Sequence, residues 1–319
     1  MGAAQHHYRR SHGAVVEEID GLIRVHKDDH VERFPIVHDV PCTLSLNSAV
    51  DSTDVRIANH LWARIYVPNF PSEKLPVLVY FHGGGFCVAS AAWSCYHEFL
   101  SRLALKARCL IVSVNYRLAP EHRLPAAFDD GFTTVKWLRK QVDRGTWLFH
   151  KCDLSRFFLG GDSAGGTIAY NVAAAPSAGT ITGVILIQPF FGGERRTPSE
   201  KSLVQAKTSP LTIAASDTYW RLALPIGAGR DHEWCNPLIG RWVLRVTNLP
   251  RILLFVAGLD LLRDRNTEFA IAMHSAGKSV KMVQHEGVGH AFHVLNNSSR
   301  LAKRRTLEMM DEIKNFLSK

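Results

Sequence analysis

Short apolar runs recur along the chain and alternate with longer segments of helical periodicity. The runs lack the strict alternation of half-exposed strands, as expected for strands buried on both faces. Six runs predict strands, at residues 75–82, 109–116, 156–161, 183–190, 252–260 and 280–286. Helices are predicted at residues 126–141, 164–175, 266–276 and 300–317. This repetition of strand and helix predicts an α/β fold with a mostly parallel central sheet and helices on both faces.

One long segment interrupts this alternation. Residues 191–240 are rich in Gly, Pro, Trp and Arg and carry no clear period. Right-handed crossovers bring the carboxyl ends of parallel strands to one edge of a sheet, where α/β proteins bind ligands. We interpret residues 191–240 as an excursion over that edge and expect residues 1–319 to form a single domain. Residues 1–55 are polar, and we expect them to be irregular.

Composition narrows the class of protein and identifies no macromolecular partner. The 319 residues are 46% hydrophobic and 21% charged, which is typical of a globular chain. The net charge of +9 is scattered along the sequence. Its densest cluster, residues 303–305, lies in a segment of helical periodicity. We therefore expect a solvated helix face there, and no nucleic-acid partner.

The cysteines and the apolar segments bear on location. The six cysteines form no C-x-x-C pair, the first thirty residues contain no apolar signal segment, and no run of eighteen apolar residues occurs. These features predict a cytoplasmic protein, with the nucleus also open, that is neither secreted nor membrane-spanning. The oligomeric state stays open.

The strongest candidate for chemistry is Ser163. It lies in the sequence GDSAG, residues 161–165, directly after an apolar strand and before an alanine-rich helix. The pattern G-x-S-x-G in this context is typical of a nucleophile elbow, a tight and strained turn that exposes a reactive serine. The start of the helix behind Ser163 favours developing negative charge. We predict that Ser163 is a catalytic nucleophile.

A glycine-rich loop predicts an oxyanion hole. The sequence HGGGF, residues 82–86, directly follows the predicted strand 75–82. Acyl transfer requires preorganised N–H groups that hold the negative oxygen of the intermediate, and glycines allow the main chain to approach it closely. The predicted donors are Gly83, Gly84 and Gly85 together with Ala164. We expect His82 to be structural.

An acid and a base must follow the serine in the chain order Ser, Asp, His. Asp260 comes just after the apolar strand 252–260, at the same sheet edge, and Asp264 is the alternative. His290 follows the last predicted strand in a glycine-flanked loop, GVGH at residues 287–290. His285 and His293 are placed less well. Ser163, His290 and Asp260 are therefore the predicted triad, in which His290 moves the proton and Asp260 fixes its tautomer.

Motifs for phosphate, dinucleotide and metal binding are not present, because the residues that they require do not stand at the required spacing. The segment GKS, residues 277–279, has Ala272 where a phosphate-binding loop requires its first glycine. No G-x-G-x-x-G motif stands at a strand–helix junction, and no histidines, cysteines or acidic residues have the spacing of metal ligands. We therefore predict no cofactor and no metal.

From about residue 64 to the end, the chain resembles the plant carboxylesterase family, in the hormone-sensitive-lipase branch of the α/β-hydrolases. Besides HGGGF and GDSAGG, the resemblance rests on NYRLAPEH at 115–122, PAAFDD at 125–130, QPFFGG at 188–193 and the stretch 220–237. It implies an α/β-hydrolase fold, a cap built from about residues 1–55 and 191–240 over the C-terminal sheet edge, no cofactor, and the triad Ser163, Asp260 and His290.

The resemblance implies a serine carboxylesterase and leaves two alternatives. Some relatives act as dehydratases or cyclases on the same scaffold, and the gibberellin receptors bind a hormone without the catalytic histidine. The presence of His290 argues against a receptor that only binds, while elimination on the same site stays open. We favour hydrolysis of a small hydrophobic ester. The residues predicted to line the substrate pocket are aromatic: Phe86, Trp93, Tyr96, Phe190, Phe191, Tyr219 and Phe292.

Overall fold

The computed structural model of the chain describes residues 12–42, 49–70, 74–176, 179–203, 209–241, 249–295 and 299–319. They fall into two compact units, one ending at Ile36 and the other beginning at Val37. The first unit is an antiparallel sheet of three short strands, β1 (Val15–Ile19), β2 (Ile23–His26) and β3 (Val31–Arg33). The expectation of irregular structure in residues 1–55 was therefore wrong where these residues are described.

The second unit is built on a sheet of eight strands among the described residues. They are β4 (Val50–Ala58), β5 (Leu61–Pro68), β6 (Leu75–Phe81), β7 (Leu110–Asn115), β8 (Cys152–Asp162), β9 (Gly183–Ile187), β10 (Arg251–Ala257) and β11 (Val280–His285). Their order across the sheet is β11-β10-β9-β8-β6-β7-β5-β4. The six strands from β6 to β11 pair in parallel, and β4 and β5 add an antiparallel edge. The predicted parallel strands are confirmed.

Helices cover both faces of this sheet. They are α1 (Ser94–Ala107), α2 (Ala126–Asp143), α3 (Trp147–Lys151), α4 (Ala164–Ala174), α5 (Pro198–Ser202), α6 (Ile213–Ala223), α7 (Arg263–Ser275) and α8 (Arg300–Leu317). Helices α1 and α8 share a core with alternate residues of β6, β8, β9 and β10. On the other face, Gly131 of α2 lies against Phe81 of β6 and Val172 of α4. The predicted α/β fold is thereby confirmed.

The described part of the excursion at residues 191–240 includes the α-helices α5 and α6, and it is bound to the start of α7. The Arg265 guanidinium donates to both carboxylate oxygens of Glu200, at 2.8 and 2.9 Å. The Asp264 carboxylate accepts the N–H of Ser199 at 2.6 Å. These charged contacts stabilise the excursion on the main sheet unit. Its role as a cap, like the single-domain organisation, stays a prediction. No helix in the described ranges is long and apolar enough to cross a membrane.

Candidate active site

The three predicted triad residues follow three strands of one sheet. Ser163 comes directly after β8, Asp260 lies three residues after β10, and His290 lies in the loop after β11. Because β8, β10 and β11 are parallel members of the same sheet, their carboxyl ends reach the same edge. The fold therefore brings together side chains that are up to 127 residues apart in sequence.

The turn that carries Ser163 is strained and closely packed. Ser163 has φ +51°, a left-handed conformation that residues with a side chain adopt at a cost. Glycine is required at position 165, because a Cβ there would lie 1.9 Å from the main-chain oxygen of Phe81. The N–H of Ser163 donates to Ile187, and its C=O accepts from Phe190. These bonds hold the strained turn in place, as a nucleophile elbow requires.

A continuous line of hydrogen bonds joins the three side chains. The Oγ of Ser163 lies 2.9 Å from Nε2 of His290, and Nδ1 of His290 lies 2.7 Å from Oδ2 of Asp260. The other oxygen of Asp260 accepts the N–H of Leu262 at 3.0 Å. Serine, histidine and aspartate are exposed by only 5%, 8% and 1%, so this line is shielded from water. The arrangement has the distances needed to move a proton from the serine to the imidazole.

The electrostatics suit His290 to proton transfer. Burial alone lowers the pKa of His290, since it disfavours the charged imidazolium. The Asp260 carboxylate opposes this effect by its charge and its hydrogen bond, and the pKa of His290 ends above its ordinary value of 6.5. Asp260 thereby makes His290 a stronger base.

Asp264, the alternative acid, has another partner. Its carboxylate accepts N–H groups from Ser199 and Arg263. The alternative histidines also lie apart from Ser163. His285 stacks on Phe255, and His293 packs edge-on against Phe99 with both ring nitrogens unpaired among the described residues.

The glycine loop stands opposite the elbow, and its first amide is already occupied. The N–H of Gly83 donates to the hydroxyl of Tyr96 at 2.8 Å. The N–H groups of Gly84 and Gly85 donate to no other group of the described chain. Both glycines have positive φ, +104° and +59°. Of the four predicted oxyanion donors, Gly84, Gly85 and Ala164 therefore remain, and Gly83 is the exception.

His82 lies beneath the loop, as expected. It is fully buried, its ring stacks on Tyr116 at 4.3 Å, and its Nδ1 bonds to the carbonyl of Gly83. Burial lowers the pKa of His82 to about 4, so its imidazole is neutral near pH 7.

Three of the seven predicted pocket aromatics meet beside the loop. Phe86 and Phe190 lie 6.2 Å apart, and the Tyr219 ring packs edge-on against Phe190 and lies directly on Gly85. Trp220 joins them, stacked on Phe190 at 4.7 Å. We call Phe86, Phe190, Tyr219 and Trp220 the aromatic cluster.

The other four predicted pocket residues lie elsewhere. Trp93 stands at the start of α1, where Asp39 pairs with it, and Tyr96 lies under the glycine loop. Phe191 packs on Phe269, and Phe292 packs edge-on against His285. The structure does not bring these four into the aromatic cluster.

Two residues near the triad were not predicted from the sequence to contribute to the site. Asp162, inside the G-x-S-x-G motif, is buried and accepts the hydroxyls of Tyr80 and Tyr96 at 2.8 and 2.9 Å. Gln188, just after β9, hydrogen-bonds to the main chain on both sides of His290. Asp162 could have been identified as an ionisable residue inside a motif that forms a buried turn. Gln188 could have been identified as the first residue of the motif QPFFGG.

Within the described part of the chain, no three His, Cys, Asp or Glu side chains come together in an arrangement that could hold a metal ion.

Comparisons with known proteins place the chain in a family. A family model described as the alpha/beta hydrolase fold matches residues 78–294. A probable carboxylesterase of Arabidopsis thaliana is 48% identical over 317 residues, covering 96% of this chain and 92% of the relative. A 2-hydroxyisoflavanone dehydratase of Glycyrrhiza echinata is 36% identical, covering 94% of this chain and 95% of the relative.

A solved structure supports the same family assignment as the two relatives. An esterase of Pyrobaculum calidifontis has a TM-score of 0.70 and 28% identity, covering 83% of this chain and 84% of the esterase. The chain therefore belongs to the α/β-hydrolase fold family. Within that family it is a carboxylesterase-type hydrolase of the plant carboxylesterase group, and the resemblance stated from its motifs is confirmed.

Proposed function

We propose that the protein is a serine carboxylesterase that hydrolyses small hydrophobic carboxylic esters. The observation that carries this proposal is the buried hydrogen-bonded line from Ser163 through His290 to Asp260. The free amides of Gly84 and Gly85 beside the elbow give it further support.

In the first half-reaction, Ser163 Oγ attacks the ester carbonyl carbon while its proton passes to Nε2 of His290. The carbonyl oxygen becomes an oxyanion, which the N–H groups of Gly84, Gly85 and Ala164 stabilise. The carbon–alkoxy bond then breaks, and the alcohol leaves with the proton from His290. In the second half-reaction, water gives a proton to His290 and attacks the acyl carbon. The bond from that carbon to Ser163 Oγ breaks, His290 returns the proton to Oγ, and the acid leaves.

The surroundings support an apolar substrate. The aromatic cluster lies against the glycine loop, within the same structural unit as the triad, and its buried rings make the surroundings of that loop apolar. An ester with a small apolar acyl or alcohol group suits such surroundings better than a charged one.

The test is hydrolysis of short p-nitrophenyl esters by the wild type, Ser163→Ala and Ser113→Ala. Ser113 is a buried serine on β7 whose hydroxyl has no partner among the described residues, so it is a matched control. We expect Ser163→Ala to lower kcat by about 10⁶-fold, to near background, and Ser113→Ala to leave it unchanged. An organophosphate should label Ser163, as shown by intact mass and peptide digestion.

The two alternatives predict different outcomes. A dehydratase on this scaffold would keep its turnover in Ser163→Ala and still need His290. A receptor would bind its ligand without hydrolysis and leave Ser163 unlabelled. An active wild type whose activity survives in Ser163→Ala would contradict the esterase proposal.

A further inference from the structure

A buried carboxylate next to the nucleophile has no role in the proposed reaction. Asp162 is 2% exposed, and its two oxygens accept hydroxyl groups from two different tyrosines. Tyr80 of β6 binds Oδ1, and Tyr96 of α1 binds Oδ2. Burying an ionisable group is costly unless its hydrogen bonds are satisfied. An apolar residue here would avoid that cost, which the hydroxyls of Tyr80 and Tyr96 offset in this chain.

The two tyrosines differ in what else they reach. The Tyr96 hydroxyl donates to Asp162 and also accepts the N–H of Gly83, at 2.8 Å. The hydrogen bond of Tyr80 goes to Asp162 alone among the described residues. Tyr96 therefore links the residue that precedes Ser163 to the residue that precedes Gly84.

The carbonyl of Gly83 is held as firmly as its N–H. It accepts the N–H at Nδ1 of His82 at 2.8 Å, and it shares the hydroxyl of Tyr116, at 3.2 Å, with the carbonyl of His82, which lies closer at 2.8 Å. The loop and the carboxylate also lie very close, because a Cβ on Gly83 would stand 2.6 Å from Oδ2 of Asp162. The peptide groups of Gly83 are thus fixed on both sides, immediately before the two glycines whose amides are free.

We propose that Tyr96 is a positioning residue, which Asp162 holds in place and which aligns the oxyanion loop with the nucleophile elbow. This inference rests on the proposed esterase function and deepens it. Three consecutive glycines have many accessible conformations, and an oxyanion hole works only when its donors are aimed in advance. The bond from Tyr96 to Gly83 ties the loop to the strand that carries Ser163, so both halves of the site keep one relative position.

The hydroxyl of tyrosine is suited to this link because it is both a donor and an acceptor of hydrogen bonds. A phenol can donate to the carboxylate and accept the amide N–H at the same time. Burial raises the pKa of Asp162 to about 6, so above that pH the carboxylate is ionised. The donation of the phenol to it is then a charge-assisted hydrogen bond, which is stronger than a neutral one. Phenylalanine keeps the ring and loses both bonds, so it tests the link with little change in packing.

The experiment compares Tyr96→Phe with Tyr80→Phe. Both variants remove one buried hydroxyl from the same carboxylate, but only the first releases Gly83. Three quantities are measured for each: kcat and KM on a p-nitrophenyl ester, the melting temperature, and inhibition by an aryl trifluoromethyl ketone. Ser163 Oγ adds to the carbonyl of that ketone, the proton passes to His290, and the resulting hemiketal oxyanion occupies the hole.

For Tyr96→Phe we expect kcat to fall about 10- to 100-fold with little change in KM, and trifluoromethyl ketone inhibition to weaken by a similar factor. For Tyr80→Phe we expect both to stay near wild type, with a comparable loss of melting temperature. A purely structural role of Tyr96 predicts equal effects in the two variants, and that result overturns the inference. If Tyr96→Phe does not fold, Asp162→Ala leaves the phenol without its acceptor, and undiminished ketone inhibition in that variant overturns the inference as well.

The failure of the inference is distinct from that of the proposed function. A wild type that hydrolyses no ester overturns the esterase proposal and the inference with it. An active wild type in which Tyr96→Phe matches Tyr80→Phe overturns the inference alone.

Discussion

Gln188 holds the main chain on both sides of His290. Its Oε1 accepts the N–H of Ala291 at 2.8 Å, and its Nε2 donates to the carbonyl of Gly289 at 3.1 Å. Ala291 has φ +54°, a left-handed conformation that needs such support. One side-chain amide thereby fixes the direction in which the imidazole of His290 leaves the loop.

We expect Gln188→Leu to lower kcat about 10- to 100-fold, because the His290 ring loses its alignment with Ser163. The measurement is steady-state hydrolysis of a p-nitrophenyl ester. Gln284→Leu is the matched control, since Gln284 is an exposed residue on β11, and its activity should equal the wild type. Equal activities of the two variants would show that Gln188 does not position the histidine.

Asp260 and Asp264 allow a second matched comparison. Asp260 bonds to His290, whereas Asp264 bonds to the N–H of Ser199. In Asp260→Asn the amide no longer stabilises the imidazolium, so we expect kcat to fall by about 10⁴-fold. Asp264→Asn should keep most of the activity and lose some thermal stability. Steady-state kinetics and thermal melting of both variants check this, and the reverse ranking would reassign the acid of the triad.

The pH dependence should follow His290. Only the neutral imidazole accepts a proton, so activity appears as the pH rises through the pKa of His290 in the free enzyme. Asp260 holds this pKa above 6.5. We therefore expect the acidic limb of kcat/KM to have its midpoint above pH 6.5 in the wild type. In Asp260→Asn the midpoint of the residual activity should move to lower pH, since the raising charge is gone. A midpoint that stays in place in the variant would contradict the assignment.

The ion pair of Arg265 and Glu200 should matter for stability. Both side chains are buried, and Arg265 also donates to the carbonyls of Gly193 and Arg195. Arg265→Met leaves Glu200 buried without its cation, so we expect a loss of about 3–5 kcal/mol in the free energy of unfolding. Urea unfolding measures this.

Two further variants test whether the unpaired charge of Glu200 causes that loss of stability. The double variant Arg265→Met/Glu200→Met should lose less stability than Arg265→Met alone, because no charge is left buried. Lys281→Met, which breaks the exposed pair with Glu312, is the control and should change little. A double variant less stable than the single one would contradict the role of the buried charge.

The sequence predicted the parallel strands and the triad because each leaves a local signal. Strands buried on both faces, such as β6 and β10, give unbroken apolar runs. Ser163 stands in a motif, and His290 stands in a glycine-flanked loop at the end of a strand. The antiparallel edge strand β4 went unrecognised because its residues, VDSTDVRIA, are mostly polar and only partly buried.

Hydrogen bonds between residues on different helices, strands and loops could not be predicted in the same way. The bond from Tyr96 to Gly83 and the two bonds from Gln188 join residues on different elements, and no spacing along the chain encodes them. Aromatic residues posed a related difficulty. Phe190 and Phe191 are neighbours in sequence, but one joins the aromatic cluster and the other packs on Phe269. The absence of a cofactor, the cytoplasmic location and the small hydrophobic ester as substrate stay predictions.

The placement of the triad on three strands also has a consequence for refolding. His290 lies beyond β11, which is the outermost parallel strand of the sheet and pairs with β10 alone in the described sheet. Strands β6 to β9 pair with one another and with β10, so their pairing does not require β11. Ester turnover then reports the completed edge, while helix and sheet signals report the rest of the sheet. Local detachment of β11 is therefore enough to inactivate the protein while most of its sheet stays intact.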